Sequence, residues 1–212
     1  MTADENVKGY VDSLYKDGPE FMEELRSYAK EHEVPIIRRQ TEGFLKSLLL
    51  LSRPEKILEI GTGIAYSSIF MANTLPESHI VTIEDYPPRI ETSDENIKKA
   101  GLEDRISLLE GDAGRILPEL KESFDFIFLD GPKAQYISFL PDLIRLLKKG
   151  GVLLSDNVLQ GGETACSRFA LERRQRTIHA RMREFLYAVT HSEELYTSIL
   201  TVEDGLSLSI KI

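Results

Sequence analysis

From residue 56 to residue 156 the chain alternates short apolar runs with longer amphipathic stretches, and that rhythm limits the folds open to it. KILEI (56–60), HIVTIE (79–84), RISLLE (105–110), FDFIFLD (124–130) and GVLLSD (151–156) are short, apolar and rich in strand-favouring residues. Between them, YSSIFMANTL (66–75), PRIETSDENIKKAG (88–101) and ISFLPDLIRLLKKG (137–150) have helical spacing, with a shorter AGRILPEL turn at 113–120. Strand and helix in steady alternation predict a doubly wound, mainly parallel α/β sheet. The tail changes character. Residues 163–190 predict one long helix, and LYTSILTV (195–202) and LSLSIKI (206–212) then flank Glu203-Asp204-Gly205, a turn that predicts an antiparallel hairpin. Ahead of the first strand the first 50 residues read as helical, including FMEELRSYAKEH (21–32) and TEGFLKSLLLL (41–51), the latter ended by Pro54. With no repeat and no flexible linker, the expectation is a single domain over 1–212: a helical cap at 1–52 and an α/β core at 53–212.

Composition narrows the setting. No apolar run approaches the roughly 20 residues that span a bilayer. The opening MTADENVKGYVDSLYKDGPE is polar and acidic, unlike a secretory or transit signal, so a cytoplasmic location is expected. The only cysteine, Cys166, excludes an intramolecular disulfide and a tetrahedral thiolate zinc site. A net charge of −9 argues against nucleic acid as a partner. The distribution is uneven, however: from Arg168 to Arg183 there are six arginines and one acid, Glu172, a local charge of +5.

Ligands of open parallel sheets bind beyond the carboxyl ends of the strands. The first strand ends in Glu59-Ile60-Gly61-Thr62-Gly63, and Tyr66-Ser67-Ser68 opens the next helix. Gly61 and Gly63 let backbone approach a ligand closely, and the helix start offers free N–H groups to a carboxylate. Tyr66 occupies the sixth position, where the dinucleotide pattern has glycine, and Glu59 would repel a pyrophosphate. An acid there suits a cationic ligand such as S-adenosylmethionine. Glu84 ends the second strand, where a carboxylate can take ribose hydroxyls, and Gly111-Asp112-Ala113 follows the third, facing an adenine edge.

The fourth strand ends in Asp130-Gly131-Pro132-Lys133 and the fifth in Asp156-Asn157. On one sheet edge these can converge. Asp130, Asp156 and Asn157 supply hard oxygen ligands of the kind Mg²⁺ prefers, and no His or Cys points to zinc. Lys133 lies close enough to Asp130 to act as a general base, its pKa lowered by burial and a nearby cation.

The chain resembles the cation-dependent O-methyltransferases, the group that includes catechol and caffeoyl-CoA O-methyltransferases. EIGTGIAYSS (59–68), IEDY (83–86), GDA (111–113), FDFIFLDGPKAQY (124–136) and LLSDNVLQGG (153–162) carry the likeness, which runs from Ile36 to the C-terminal hairpin. It implies a class I methyltransferase fold, Rossmann-like, with a seven-stranded sheet and extra N-terminal helices. It further implies a metal, Mg²⁺ or another divalent cation such as Mn²⁺, on Asp130, Asp156 and Asn157, and Lys133 as base beside Asp130. Ser67 and the backbone near Arg38 would then meet the methionine carboxylate of S-adenosylmethionine, and Glu84, Asp112 and Ala113 its nucleoside, with Glu59, Gly61, Gly63 and Asp130 completing that site. Ala65 departs from the glycine of many relatives. Dimeric relatives make a homodimer the expectation.

For the acceptor, the run RFALERRQRTIHARMREFL (168–186) follows Asp156-Asn157 through Gly161-Gly162 and is expected at the mouth of the site. Arg168, Arg173, Arg174, Arg176 and Arg181 would suit phosphates and splayed bases. The segment is similar to bacterial members that methylate 5-hydroxyuridine at the tRNA wobble position, which implies a tRNA anticodon loop as partner. The alternative is a small catechol-like phenol. The intact Asp130–Lys133–Asp156–Asn157 set argues against a non-catalytic S-adenosylmethionine-binding scaffold.

Overall fold

The computed structural model describes residues 3–212, with side chains from Asn6 onward. Three helices come first: α1 (Ala3–Ser13), α2 (Glu20–Glu31) and α3 (Arg39–Ser52). The helical expectation for the N-terminus also covers residues 1 and 2, which lie outside the described residues. Then follow β1 (Lys56–Ile60), α4 (Tyr66–Thr74), β2 (His79–Glu84), α5 (Pro87–Lys99), β3 (Ile106–Glu110), α6 (Ala113–Glu119) and β4 (Phe124–Leu129). The chain ends with α7 (Tyr136–Leu146), β5 (Leu147–Ser155), α8 (Arg176–His191), β6 (Leu195–Leu200) and β7 (Leu206–Lys211). Among the described residues no helix is long and apolar enough to cross a membrane.

The seven strands form one sheet in the order β3-β2-β1-β4-β5-β7-β6. The first five are parallel, and β7 joins β5 antiparallel, as expected of a class I methyltransferase sheet closed by a hairpin. The order reverses between β1 and β4, the crevice where such sheets bind ligands. Register sets the parallel strand ends level: Ile60 pairs with both Ile83 and Leu129, and Leu129 with Ser155.

β4 shows why the sequence folds this way. Its period-two alternation sends Phe126 and Phe128 to one face of the sheet and Ile127 and Leu129 to the other. Leu45 and Leu49 of α3 and Ile69 of α4 cover the first face; Phe139 and Leu143 of α7 and Met182 and Phe185 of α8 cover the second.

Two boundaries differ from the sequence expectation. The helix read over 137–150 stops at Leu146, and the next four residues begin β5. Leu147 is buried opposite Phe124, Lys148 pairs with Asp125 at 2.6 Å, and Gly150 turns with φ of 79°. Those tertiary contacts override helical spacing. The single helix read over 163–190 starts only at Arg176. Ahead of it are two 3₁₀ turns, Gln160–Ala165 and Arg168–Ala170, and the first is kinked by Gly161 and Gly162 at positive φ.

Phe128 is fully buried, so Phe128→Ala should cost about 3–5 kcal/mol in urea unfolding. Phe169, 87% exposed, should tolerate the same change within about 0.5 kcal/mol.

Candidate active site

A cleft of about 410 Å³ opens over the carboxyl ends of β1, β2, β4 and β5. The sheet's hydrogen bonding continues one residue past each strand to shape it. Gly61 N–H donates to Ile83 O (3.0 Å), Asp130 N–H to Ile60 O (2.9 Å), Gly111 N–H to Glu84 O (2.8 Å) and Asp156 N–H to Leu129 O (3.0 Å). Gly61 sits at φ of 99°, and a Cβ there would lie 2.4 Å from Asp130 O, so the β1 and β4 loops approach as only glycine allows.

At one end of the cleft, Glu84 is buried with both oxygens held. Oε2 accepts Gly63 N–H at 2.9 Å, and Oε1 accepts Asp85 and Tyr86 N–H, each at 3.2 Å. A carboxylate so fixed keeps lone pairs free for ribose hydroxyls. Gly61, Gly63, Ser67, Glu84, Ala113, Arg38 and Asp130 all line the cleft.

Two expected cofactor contacts do not. Glu59 is fully buried and points toward α4, because alternation along β1 turns its side chain away from the cleft edge. Its Oε2 accepts Ser68 Oγ and Thr82 Oγ1, the latter at 2.6 Å and in turn 2.6 Å from Thr62 Oγ1; Oε1 has no partner. Glu59 therefore underpins the glycine loop. Asp112 is exposed and caps α6 by accepting Gly114 N–H at 2.6 Å; its neighbours Gly111 and Ala113 face the cleft in its place.

At the other end Asp130, Lys133, Asp156 and Asn157 line the cleft together. Lys133 Nζ is 2.7 Å from Asp130 Oδ1 and donates to the Tyr136 hydroxyl at 3.0 Å. Tyr136, fully buried, donates to Leu129 O at 2.9 Å, with Asp156 O 3.2 Å away, which ties the lysine to both strand ends. Asp156 is 3% exposed and accepts Asn157 N–H at 2.6 Å. Burial, then the charge of Asp130, pushes its carboxyl up to about 7. Asn157 is held at φ of 56°, a left-handed conformation asparagine tolerates. Among the described residues no three His, Cys, Asp or Glu side chains form a metal-holding group; this set is two carboxylates and a carboxamide.

Lys133 differs from expectation. Burial disfavours its charge, but Tyr136 and the Asp130 carboxylate outweigh that, so its pKa lies above the ordinary lysine range, not below it.

The arginine run is also elsewhere. None of Arg168, Arg173, Arg174, Arg176 and Arg181 lines the cleft. Arg174 pairs with Glu172 (2.8 Å), Arg181 with Glu184 (3.4 Å), and Arg176 Nε donates to Leu171 O (3.1 Å), while Arg168 borders a separate shallow groove on α8. The reason is packing: α8 buries Met182 and Phe185 on α7, with Phe185 edge-on to Tyr136 at 5.4 Å, and the run goes with it.

What walls the cleft instead is the hairpin turn. Arg38 pairs with Glu203 (3.3 Å) and Asp204 (2.9 Å), and Lys8 of α1 joins Glu203 at 2.8 Å. The sequence marked Glu203-Asp204-Gly205 only as a turn. Tyr66 and Tyr136 were missed as well, although both follow site residues already singled out.

This sheet with this cleft defines a class I methyltransferase. The O-methyltransferase family model matches residues 12–212, and the chain belongs to that S-adenosylmethionine-dependent family. It is 34% identical over 209 residues to caffeoyl-CoA O-methyltransferase 1 of Eucalyptus globulus, covering 94% of this chain and 85% of that one. It is 33% identical over 161 residues to the catechol O-methyltransferase of Mycobacterium tuberculosis, covering 74% and 73%. The S-adenosylhomocysteine-bound methyltransferase PaMTH1 of Podospora anserina superposes with a TM-score of 0.88 at 25% identity, covering 99% and 95%.

Glu59 is pushed up from its ordinary 4.5 to about 7 by burial, against the pull of Ser67, Ser68 and Thr82 and with a further push from Asp130. The folded protein thus holds this proton more tightly than the unfolded chain. The stabilisation is complete below about pH 4.5 and lost as pH rises through about 7. Relative to Glu59→Gln, the wild-type urea midpoint should fall between roughly pH 5 and pH 8, by at most about 3 kcal/mol of stability. Parallel midpoints would mean Glu59 is already ionised in the fold at the lower pH.

Proposed function

We propose that this enzyme transfers the methyl group of S-adenosylmethionine to one of two neighbouring oxygens of a small catechol-like or phenolic acceptor, with a divalent cation, Mg²⁺ or Mn²⁺, beside them. The observation that carries the reading is the meeting of Asp130, Lys133, Asp156 and Asn157 at one end of the cleft whose other end holds Glu84 and the glycine loop.

The residues suit both groups. A carboxylate as buried as that of Asp156, facing a second one and pushed up to about 7, is a site short of positive charge. Its partners are all hard oxygen donors. For the cofactor, Gly61 and Gly63 keep the loop free of side chains, Ser67 lies at the start of α4, and Glu84 is fixed by three backbone N–H groups. S-adenosylmethionine supplies a methyl group on a positively charged sulfur. A divalent cation, which Asp130, Asp156 and Asn157 would hold, would supply the charge that lowers the pKa of an acceptor hydroxyl.

The chain's own residues do the rest. Asp130, Asp156 and Asn157 fix the direction in which two adjacent oxygens can be presented. Lys133, an ammonium while it is paired with Asp130, would take the hydroxyl proton at Nζ only after losing its own proton to solvent, and Tyr136 holds that nitrogen between the two strand ends. Ile60, Gly61 and Ser67 hold the methyl donor so that the two reactants meet, which is where much of the acceleration of such a transfer arises.

A second reading is methylation of 5-hydroxyuridine in tRNA, whose hydroxyl and neighbouring carbonyl offer the same pair of oxygens. The exposed arginines favour it, with Arg168, Arg173, Arg174 and Arg181 all at the surface. The small acceptor has the better support, because the cleft wall is built from Arg38, Glu203 and Asp204 and not from that run.

Purified protein with Mg²⁺ and S-adenosylmethionine should methylate dihydroxyphenyl acceptors and stop when EDTA is added. Turnover on tRNA carrying 5-hydroxyuridine, with none on any diphenol, would select the second reading. Lys133→Met should lower kcat by about 10²–10⁴-fold while binding S-adenosylhomocysteine like the wild type; unchanged kcat would remove Lys133 as the base.

A further inference from the structure

We infer that Arg26 and Glu42, on helices that precede the sheet, are positioning residues for the amino-acid end of the methyl donor, acting through Tyr66. This rests on the cleft being the S-adenosylmethionine site.

Tyr66 is the first residue of α4, 2% exposed, and lines the cleft. Its hydroxyl donates to Glu42 Oε2 at 2.9 Å and accepts from Arg26 Nη2 at 2.5 Å. Arg26 also pairs with that same Glu42 oxygen, and its guanidinium carbon lies 4.9 Å from the centre of the Tyr66 ring. One phenol is thus held at its tip by an acid and a base and over its face by the same base. The two partners come from α2 and α3, so three helices meet on this ring.

The first turn of α4 needs such a hold. Its N-cap residue, Ala65, is buried at φ of 65°, a left-handed conformation unfavourable for alanine. No side chain caps the helix, so its first N–H groups remain free to receive a carboxylate. Asn96 steadies Ile64 O at 3.0 Å, and Ser68 bonds Glu59 on the sheet side. From the side of the N-terminal helices, apolar packing by Met22, Leu25, Leu45 and Leu49 is joined by one directional contact, the Tyr66 clamp.

The clamp is also an expensive way merely to dock helices. Arg26 and Glu42 are largely withdrawn from water, and Arg26 Nε is buried with no partner. An unmatched buried donor is unfavourable, and apolar residues such as Met22 and Leu25 of α2 already share a core with α4 without one. A directional contact that fixes the residue opening α4, itself on the cleft lining, is consistent with orientation being the gain. Since Thr41, next to Glu42, and Ile36 and Ile37 also line the cleft, the same stretch of chain that holds Tyr66 closes over the donor.

The test is calorimetric titration of S-adenosylhomocysteine, with steady-state kinetics, on the full chain. Tyr66→Phe and Glu42→Gln should each raise Kd for S-adenosylhomocysteine and KM for S-adenosylmethionine about tenfold, with kcat at saturation within about twofold. The double variant should be no worse than either single one, because both remove the same contact. Arg26→Lys, which keeps the charge but loses the planar fork, should fall between wild type and Tyr66→Phe, and serves if the other variants fold poorly. A Kd unchanged in Tyr66→Phe, or effects that simply add, would overturn the inference. Glu84→Ala separates the two levels. If it binds S-adenosylhomocysteine normally, the reading of the cleft has failed. If it loses binding while Tyr66→Phe does not, only the positioning role has.

Discussion

The level ending of β1, β4 and β5 governs everything that happens at the cleft. Parallel strands normally release their chains into separate loops. Here Asp130 N–H reaches back to Ile60 O and Asp156 N–H to Leu129 O, so the first residue past each strand is still held by the sheet. Backbone geometry, not side-chain attraction, therefore brings two acids together. Burial, and then repulsion between the two acids, shows in Asp156, whose carboxyl is pushed up to about 7. The core beneath, with Phe126, Phe128 and Leu154 on one side and Ile127, Leu129 and Leu153 on the other, makes that register hard to relax.

Lys133 answers part of the charge. Its ammonium joins Asp130 at 2.7 Å and is braced by Tyr136, whose hydroxyl is anchored to the carbonyl of Leu129, with that of Asp156 nearby. Burial alone would depress a lysine, and here Tyr136 and the Asp130 carboxylate together reverse that tendency. The proton affinity of this amine therefore depends on how closely Asp130 stays paired with it.

Much of this was legible in the sequence. The β4 run FDFIFL is buried almost throughout, and from Phe126 to Leu129 its side chains alternate between the two cores; Phe124, before a shift in register, departs from that alternation. Asp130, Asp156 and Asn157 could be grouped because strand ends share an edge. Direction was harder to read than position. Glu59 and Asp112 both lie at strand ends, yet one turns under the loop to Ser68 and the other caps α6, because alternation and local N–H groups decide where a carboxylate points. The arginine run failed differently: adjacency in sequence to Asn157 did not survive the packing of α8 on α7. The contacts among Arg26, Glu42 and Tyr66 join positions up to 40 residues apart and leave no local pattern to find.

The division of labour within the cleft follows from where its parts originate. Glu84, Asp130, Asp156 and the glycine loop are extensions of the sheet, and their placement is fixed by a ladder that a single substitution cannot shift far. The walls come from elsewhere. Residues 35–38 and the Glu203-Asp204-Gly205 turn reach the site from outside the parallel sheet and are joined through Arg38. Gly205, at φ of 87°, brings the turn so near Leu159 that an added Cβ would lie 2.4 Å from its side chain, and Asp204 O accepts the N–H groups of Leu159 and Gln160. Backbone bonds to the segment after Asn157 and ion pairs to the N-terminal segment therefore hold this wall. Such a wall can change its side chains without disturbing the register beneath it. The acids at one end of the cleft are thus set by the sheet, and its outer wall by two segments held through side-chain ion pairs and a turn.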